Sequence, residues 1–236
     1  KSLDEALAHG GISNKIKVNL TRIESDKLLP KSLNNIISGL SGILIPGGFG
    51  KRGTEGKIEA IKYARTNNVP FFGICFGMQM AIIEVARNLL KINNASSSEF
   101  GNSCTPVVGL LNEWKKGKKM IKGSEKNLGG TMRLGLYDAV ISKNTNIYKI
   151  YKTNKIKERH RHRYEVNINY KEAFEKKGLI FSALSPDGLL PEIVELKNHP
   201  WFVGVQFHPE FRSRPFNPHP LFSSFIQAAK NYSEHK

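Results

Sequence analysis

Short apolar runs alternate along the chain with stretches whose apolar positions recur every three or four residues. That alternation predicts βαβ units around a mostly parallel sheet flanked by helices, an α/β fold. Residues 2–9 read as a helix stopped at Gly10-Gly11, and residues 15–23 alternate apolar and polar positions as a strand does. Residues 31–38 predict a short helix ended by Gly39, and 42–46 a buried strand. An amphipathic helix follows over 53–66, with Ile58, Ile61 and Ala64 on one face. Residues 69–75 predict a second buried strand and 76–90 a helix that starts directly after Cys75. A polar connection over 93–105 leads into irregular strands and turns as far as Asp138. Strand patterning returns over 156–168, over 178–184 and 192–196 as a pair across Pro186-Asp187-Gly188, and over 202–207, where a buried strand ends at His208. Residues 221–232 close the chain as a helix. With no internal repeat or interdomain linker, residues 1–236 read as a single domain. A strand expected before the opening helix is absent or lies outside this sequence.

Composition changes this picture little. Hydrophobic residues make up 39% and charged residues 24%, as in an ordinary globular protein. No apolar run reaches the length of a membrane span and the first residues lack a signal peptide's apolar core, so a soluble, cytoplasmic protein is expected. The formal charge of +16 invites a polyanionic partner. Its lysines are spread along the chain, denser over 115–122 and 149–163, without the interleaved aromatics of a nucleic-acid platform. A solvated surface is the preferred reading, with nucleic acid and membrane excluded as partners and a surface that docks an acidic partner domain or attracts nucleotide phosphates left open.

The two cysteines differ in setting. Cys104 lies in a polar stretch with nothing to activate it, whereas Cys75 sits in Gly73-Ile74-Cys75-Phe76-Gly77, where an apolar strand meets a helix. Such a strand-to-helix elbow exposes its central side chain in a strained position, and the glycines remove Cβ atoms that would collide. Helix amides following Cys75 are expected to lower its thiol pKa. His208 stands at a strand end, and Glu210, two residues on, can fix its tautomer; Cys75, His208 and Glu210 thus offer nucleophile, base and orienter. The loop Pro46-Gly47-Gly48-Phe49-Gly50 presents bare amides, so that Gly48 and Phe76 N–H groups suit an oxyanion hole. His160 and His162 have a zinc-like spacing, but alternating arginines and the lack of further ligands argue against a metal, and a structural or regulatory role is expected.

In this order and spacing, PGGFG, GICFGMQ and QFHPE resemble the class I glutamine amidotransferases. Further strings, ASSSEF at 95–100, GGTMRLG at 129–135 and ERHRHRYEVN at 158–167, resemble the glutaminase domains of the CTP synthase branch. The resemblance implies a flavodoxin-like fold and a Cys75–His208–Glu210 triad. It also implies a glutamine site of Gly48, Phe76, Gly77, Met78 and Gln79, with Glu99 at the substrate's ammonium and Arg163 at its α-carboxylate. It requires no cofactor for glutamine hydrolysis. For the full-length enzyme it implies ATP and Mg2+, GTP as activator, an amidoligase domain absent here, and a homo-oligomer, a tetramer. Arg52 and Arg133, in two glycine-bearing loops, are candidates to sense an anion. The chain departs from the family in carrying Phe76 where leucine commonly follows the nucleophile. A γ-glutamyl hydrolase or peptidase with the same triad, and a non-enzymatic basic docking module, are the alternatives.

Overall fold

The computed structural model describes residues 1–28, 30–101, 104–110 and 132–235. The lysines of 115–122 and Gly129 to Thr131 lie outside the described residues. In chain order the helices are α1 (Ser2–Ser13), α2 (Leu33–Ile37), α3 (Thr54–Thr66), α4 (Phe76–Asn88), α5 (Asn146–Tyr151), α6 (Lys171–Lys176) and α7 (Pro220–Glu234). The strands are β1 (Ile43–Ile45), β2 (Phe71–Ile74), β3 (Ala95–Ser97), β4 (Thr105–Leu110), β5 (Arg133–Ile141), β6 (Lys155–His162), β7 (Tyr164–Val166), β8 (Leu179–Leu184), β9 (Pro191–Leu196) and β10 (Phe202–Val205).

Seven strands form the central sheet in the order β1-β2-β10-β9-β8-β5-β6, and β3, β4 and β7 form a small second sheet. The α/β class is as expected, but the sheet is mixed. Only β1, β2 and β10 pair in parallel, whereas β10–β9, β9–β8, β8–β5 and β5–β6 are antiparallel. The difference follows the connections: α3 and α4 leave β1 and β2 as crossover helices, while β8 returns as β9 through a tight turn in which Gly188 N–H donates to Ser185 O. The parallel strands are buried on both faces. Phe71 and Phe202 pack with Ile58, Ile61 and Met80 beneath α3 and α4, while Phe72, Val203 and Val205 pack with Leu7, Phe222 and Ile226 of α1 and α7. By contrast, β6 alternates strictly between exposed and buried residues, its outer face solvated.

Two further expectations give way. Gly10 and Gly11 do not stop α1, because their small size serves packing: a Cβ at Gly10 would lie 2.8 Å from Phe222 O of α7, and one at Gly11 2.8 Å from Ile16 O. Residues 15–23 join no ladder. A cavity of about 740 Å³, lined by Val18, Leu20, Leu44 and Phe225 among others, separates them from the outer edge of β1. The described residues of the connection over 93–105 hold β3, a 3-10 turn at Ser98–Phe100 and the start of β4, more regular structure than its polarity suggests.

Candidate active site

Parallel pairing places the C-terminal ends of β1, β2 and β10 side by side, with β2 between the other two. Ile45 is in register with Gly73, and Ile74 with Val205, so the residues that follow each strand emerge at one sheet edge. These are the glycine-rich loop after Ile45, Cys75 after Ile74, and Gln206 to Glu210 after Val205. Open α/β sheets bind ligands at this edge.

Cys75 adopts φ 52°, ψ −102°, a strained conformation for a residue with a side chain, and its N–H is anchored to Val205 O at 2.6 Å. The glycines on either side are sterically required. A Cβ at Gly77 would lie 2.1 Å from Ile45 O, and one at Gly73 would lie 2.7 Å from the Gly77 carbonyl carbon. The Phe76 N–H favours a Cys75 thiolate, as a helix start should. Burial is nevertheless the larger effect and pushes the thiol up to about 12, with Glu165, Glu210 and Glu99 adding to the rise. The expected lowering is thus reversed in the resting site.

His208 Nδ1 lies 2.8 Å from Glu210 Oε1, so Nδ1–H donates to the carboxylate and Nε2 is left as the basic nitrogen. The backbone of His208 is held by Arg159 O at 2.7 Å, and its ring stacks on Phe211. A Cβ at Gly47 would fall 2.7 Å from His208 Cε1, and one at Gly48 would fall 3.7 Å from the Phe76 ring. The glycine loop therefore packs against both the imidazole and the residue after Cys75. Gly48 N–H makes no hydrogen bond among the described residues. Glu99 ties into the same loop by accepting from Gly50 N–H at 2.7 Å, and its half-burial raises its pKa. Arg163, half-buried between β6 and β7, has no hydrogen bond or ion pair among the described residues.

Other predicted residues are used differently. Met78 is fully buried against Gly204, so only its backbone can face a ligand. Gln79 is buried too, and its amide donates to Tyr164 O at 2.9 Å and to Gln206 Oε1 at 3.3 Å. Cys104 is half-exposed, its thiol directed at Ser97 O and Gly101 O. Of the two arginines expected to sense an anion, Arg133 is withdrawn from that role by burial, whereas Arg52 stays 91% exposed. Arg52 is paired with Asp26 at 2.8 Å, and buried Arg133 bridges Glu165 at 3.1 Å and Glu192 at 2.7 Å. His160 and His162 complete that network, contacting Glu192 at 2.6 Å and Glu165 at 2.8 Å, and the described residues contain no cluster arranged to hold a metal. Gln206 was not singled out from the sequence, although QFHPE contains it. Its amide Nε2 lies 3.8 Å from Cys75 Sγ.

A family model described as glutamine amidotransferase class-I matches residues 1–228. CTP synthases from Pelagibacter ubique and Agrobacterium fabrum are 69% and 58% identical over 232 and 234 residues, 98% and 99% of this chain. The chain spans 43% of the length of each of these curated relatives. Among solved structures, the Trypanosoma brucei CTPS glutaminase domain with bound acivicin superposes with a TM-score of 0.87 at 37% identity, over 98% of this chain and 87% of that one. A putative GMP synthase component from Thermoplasma acidophilum, 18% identical, matches over 95% of this chain and 87% of its own at a TM-score of 0.60, a likeness of fold.

Proposed function

The chain belongs to the class I glutamine amidotransferase family, and from that premise we propose that its Cys75, His208 and Glu210 hydrolyse the side-chain amide of glutamine to supply ammonia. One observation carries the assignment: Cys75, in its strained elbow, and a His208–Glu210 pair at 2.8 Å emerge from neighbouring parallel strands. His208 Nε2 takes the Cys75 proton as the sulfur attacks the glutamine carboxamide carbon. The oxyanion is received by the Gly48 and Phe76 N–H groups. Collapse breaks the C–N bond, and the His208 imidazolium protonates the departing nitrogen to give ammonia. Water then attacks the γ-glutamyl thioester with His208 as base, releasing glutamate and restoring the thiol. Glu99 and Arg163 receive the ammonium and α-carboxylate of glutamine, with Gly77, Met78 and Gln79 around its amide.

In the longer protein this ammonia aminates UTP to CTP on an amidoligase domain that uses ATP and Mg2+, with GTP promoting the coupling and a tetrameric, cytoplasmic enzyme as the whole. None of those ligands is assigned to residues of this chain. The reading is tested by mass spectrometry after reaction with acivicin and by glutamate release. One adduct on Cys75 and loss of turnover in Cys75→Ser are expected. An adduct on Cys104, or turnover retained in Cys75→Ser, would overturn the assignment. Glutamate release by the chain alone, with GTP, and with GTP plus a separately expressed amidoligase portion tests dependence on the partner. Turnover unchanged by either addition would refute that dependence.

A further inference from the structure

A chain of hydrogen bonds runs from the second sheet to the nucleophile. The Tyr164 carbonyl of β7 can only accept, so the side-chain group of Gln79 that faces it at 2.9 Å must be the amide NH2. The same NH2 lies 3.3 Å from Gln206, which must turn its own oxygen to receive it. That leaves the Gln206 NH2 pointing at Cys75 Sγ, 3.8 Å away. Gln206 is fully buried, so water cannot compete for this donor. A backbone carbonyl therefore sets the direction of every bond in the series, and the series ends on sulfur.

We infer that Gln206 is a catalytic residue of this site, a donor aimed at the Cys75 sulfur and held in that orientation by Gln79 and the Tyr164 carbonyl. This rests on the reading of Cys75 as the nucleophile. The donor matters most when the sulfur carries negative charge, both before attack and when the thioester collapses back to thiolate. It acts with the Phe76 N–H against burial and against the three carboxylates that bear on the sulfur, Glu165 from β7, Glu210 after β10 and Glu99 from the 3-10 turn. Gln79 thereby acquires a positioning role: its NH2 is consumed by Tyr164 and Gln206.

The test is the rate of iodoacetamide alkylation at Cys75 across a pH series, read on the Cys75 peptide with Cys104 of the same sample as reference. Gln206→Met removes the donor at similar volume. It should slow Cys75 alkylation by about tenfold relative to Cys104, as expected for a lost hydrogen bond to a charged group, and displace the profile to higher pH. Glutaminase kcat should fall by a similar factor with KM nearly unchanged. Gln79→Met, which frees the Gln206 amide to turn, should give a smaller loss of the same kind. A Gln206→Met protein with native thermal unfolding and a wild-type Cys75 profile would overturn the inference, as would a normal profile in Gln79→Met if the first variant does not fold. Because alkylation is read on Cys75 itself, an acivicin adduct on Cys104 in its place would refute the nucleophile reading while the pH profile still reports on the donor.

Discussion

Replacing Arg133 with methionine should destabilise the fold more than any surface substitution, because it strands two buried carboxylates. The Arg133 side chain is 9% exposed and its partners Glu165 and Glu192 are 1% and 0% exposed, at 3.1 and 2.7 Å. Removing one partner from a buried ionic cluster costs about 3–5 kcal/mol. His162 and His160 still contact the same carboxylates at 2.8 and 2.6 Å, so the lower end of that range, about 3 kcal/mol, is expected here. For a chain of this size each kcal/mol moves Tm by roughly 2–4 °C, giving a fall of about 6–12 °C. The loss should also depend on pH. Burial works to raise the Glu165 pKa, but His162 and then Arg133 outweigh it and hold the carboxyl below its ordinary value near 4.5. Such a group stabilises the fold above its unfolded pKa, and that stability disappears as pH falls through the lower folded value. The gap between parent and Arg133→Met should therefore be full at neutral pH and shrink in acid. Circular dichroism melts over a pH series make the measurement. A Tm within about 2 °C of the parent at neutral pH would show that the histidines alone satisfy the carboxylates and that the cluster is not arginine-dependent.

Gly77→Ala should cost about 1–3 kcal/mol in denaturant titration. It should also lower kcat, since the new Cβ would lie 2.1 Å from Ile45 O, just before the proposed oxyanion loop. If Arg163 and Glu99 hold the two charged ends of glutamine, Arg163→Met and Glu99→Gln should each raise KM by about 10- to 100-fold in a glutamate-release assay. Unchanged kinetics would remove the residue from the site. Burial depresses the His199 pKa below its ordinary 6.5, with its Nε2 held 3.0 Å from Ala64 O. Stability from this neutral imidazole is present above the unfolded value and is lost as pH falls through the folded one, so melts of a His199→Asn variant should lose less stability in acid than the parent.

The parts of the fold legible in the sequence are those where local chemistry and global packing agree. The runs at 43–45, 71–74 and 202–205 are continuous apolar segments because they are buried on both faces, and the helices after them carry clear apolar stripes. The glycines around Cys75 could be read because a single backbone geometry demands them. Gly10 and Gly11 misled because a glycine required for close approach of α7 is indistinguishable, in one sequence, from a glycine that stops a helix. Strand direction was legible where a turn joins two strands, as across Pro186-Asp187-Gly188, and poorly legible elsewhere: an apolar run such as 202–205 does not say which neighbour runs with it and which against it. Side-chain pairing was the least visible. Arg133 sits 32 and 59 residues from Glu165 and Glu192, and only the register of β5 on β6 brings it among them.

The buried thiol gives the site its character. A helix start and an elbow favour a reactive anion, yet burial and three carboxylates hold Cys75 protonated up to about 12. The sulfur is therefore neutral at rest, and in the proposed mechanism thiolate arises as the proton moves to His208, whose imidazolium Glu210 at 2.8 Å would stabilise. That mechanism couples proton transfer and attack to the arrival of a substrate whose amide oxygen can meet the Phe76 and Gly48 N–H groups. The same Gly48 lies on a loop that is tethered to Glu99 at Gly50 and carries Phe49 91% exposed. A contact on Phe49 would thus act together on Gly48, the proposed oxyanion donor, and on Glu99, the proposed partner of the glutamine ammonium. Such a link would let the site respond to whatever covers this loop.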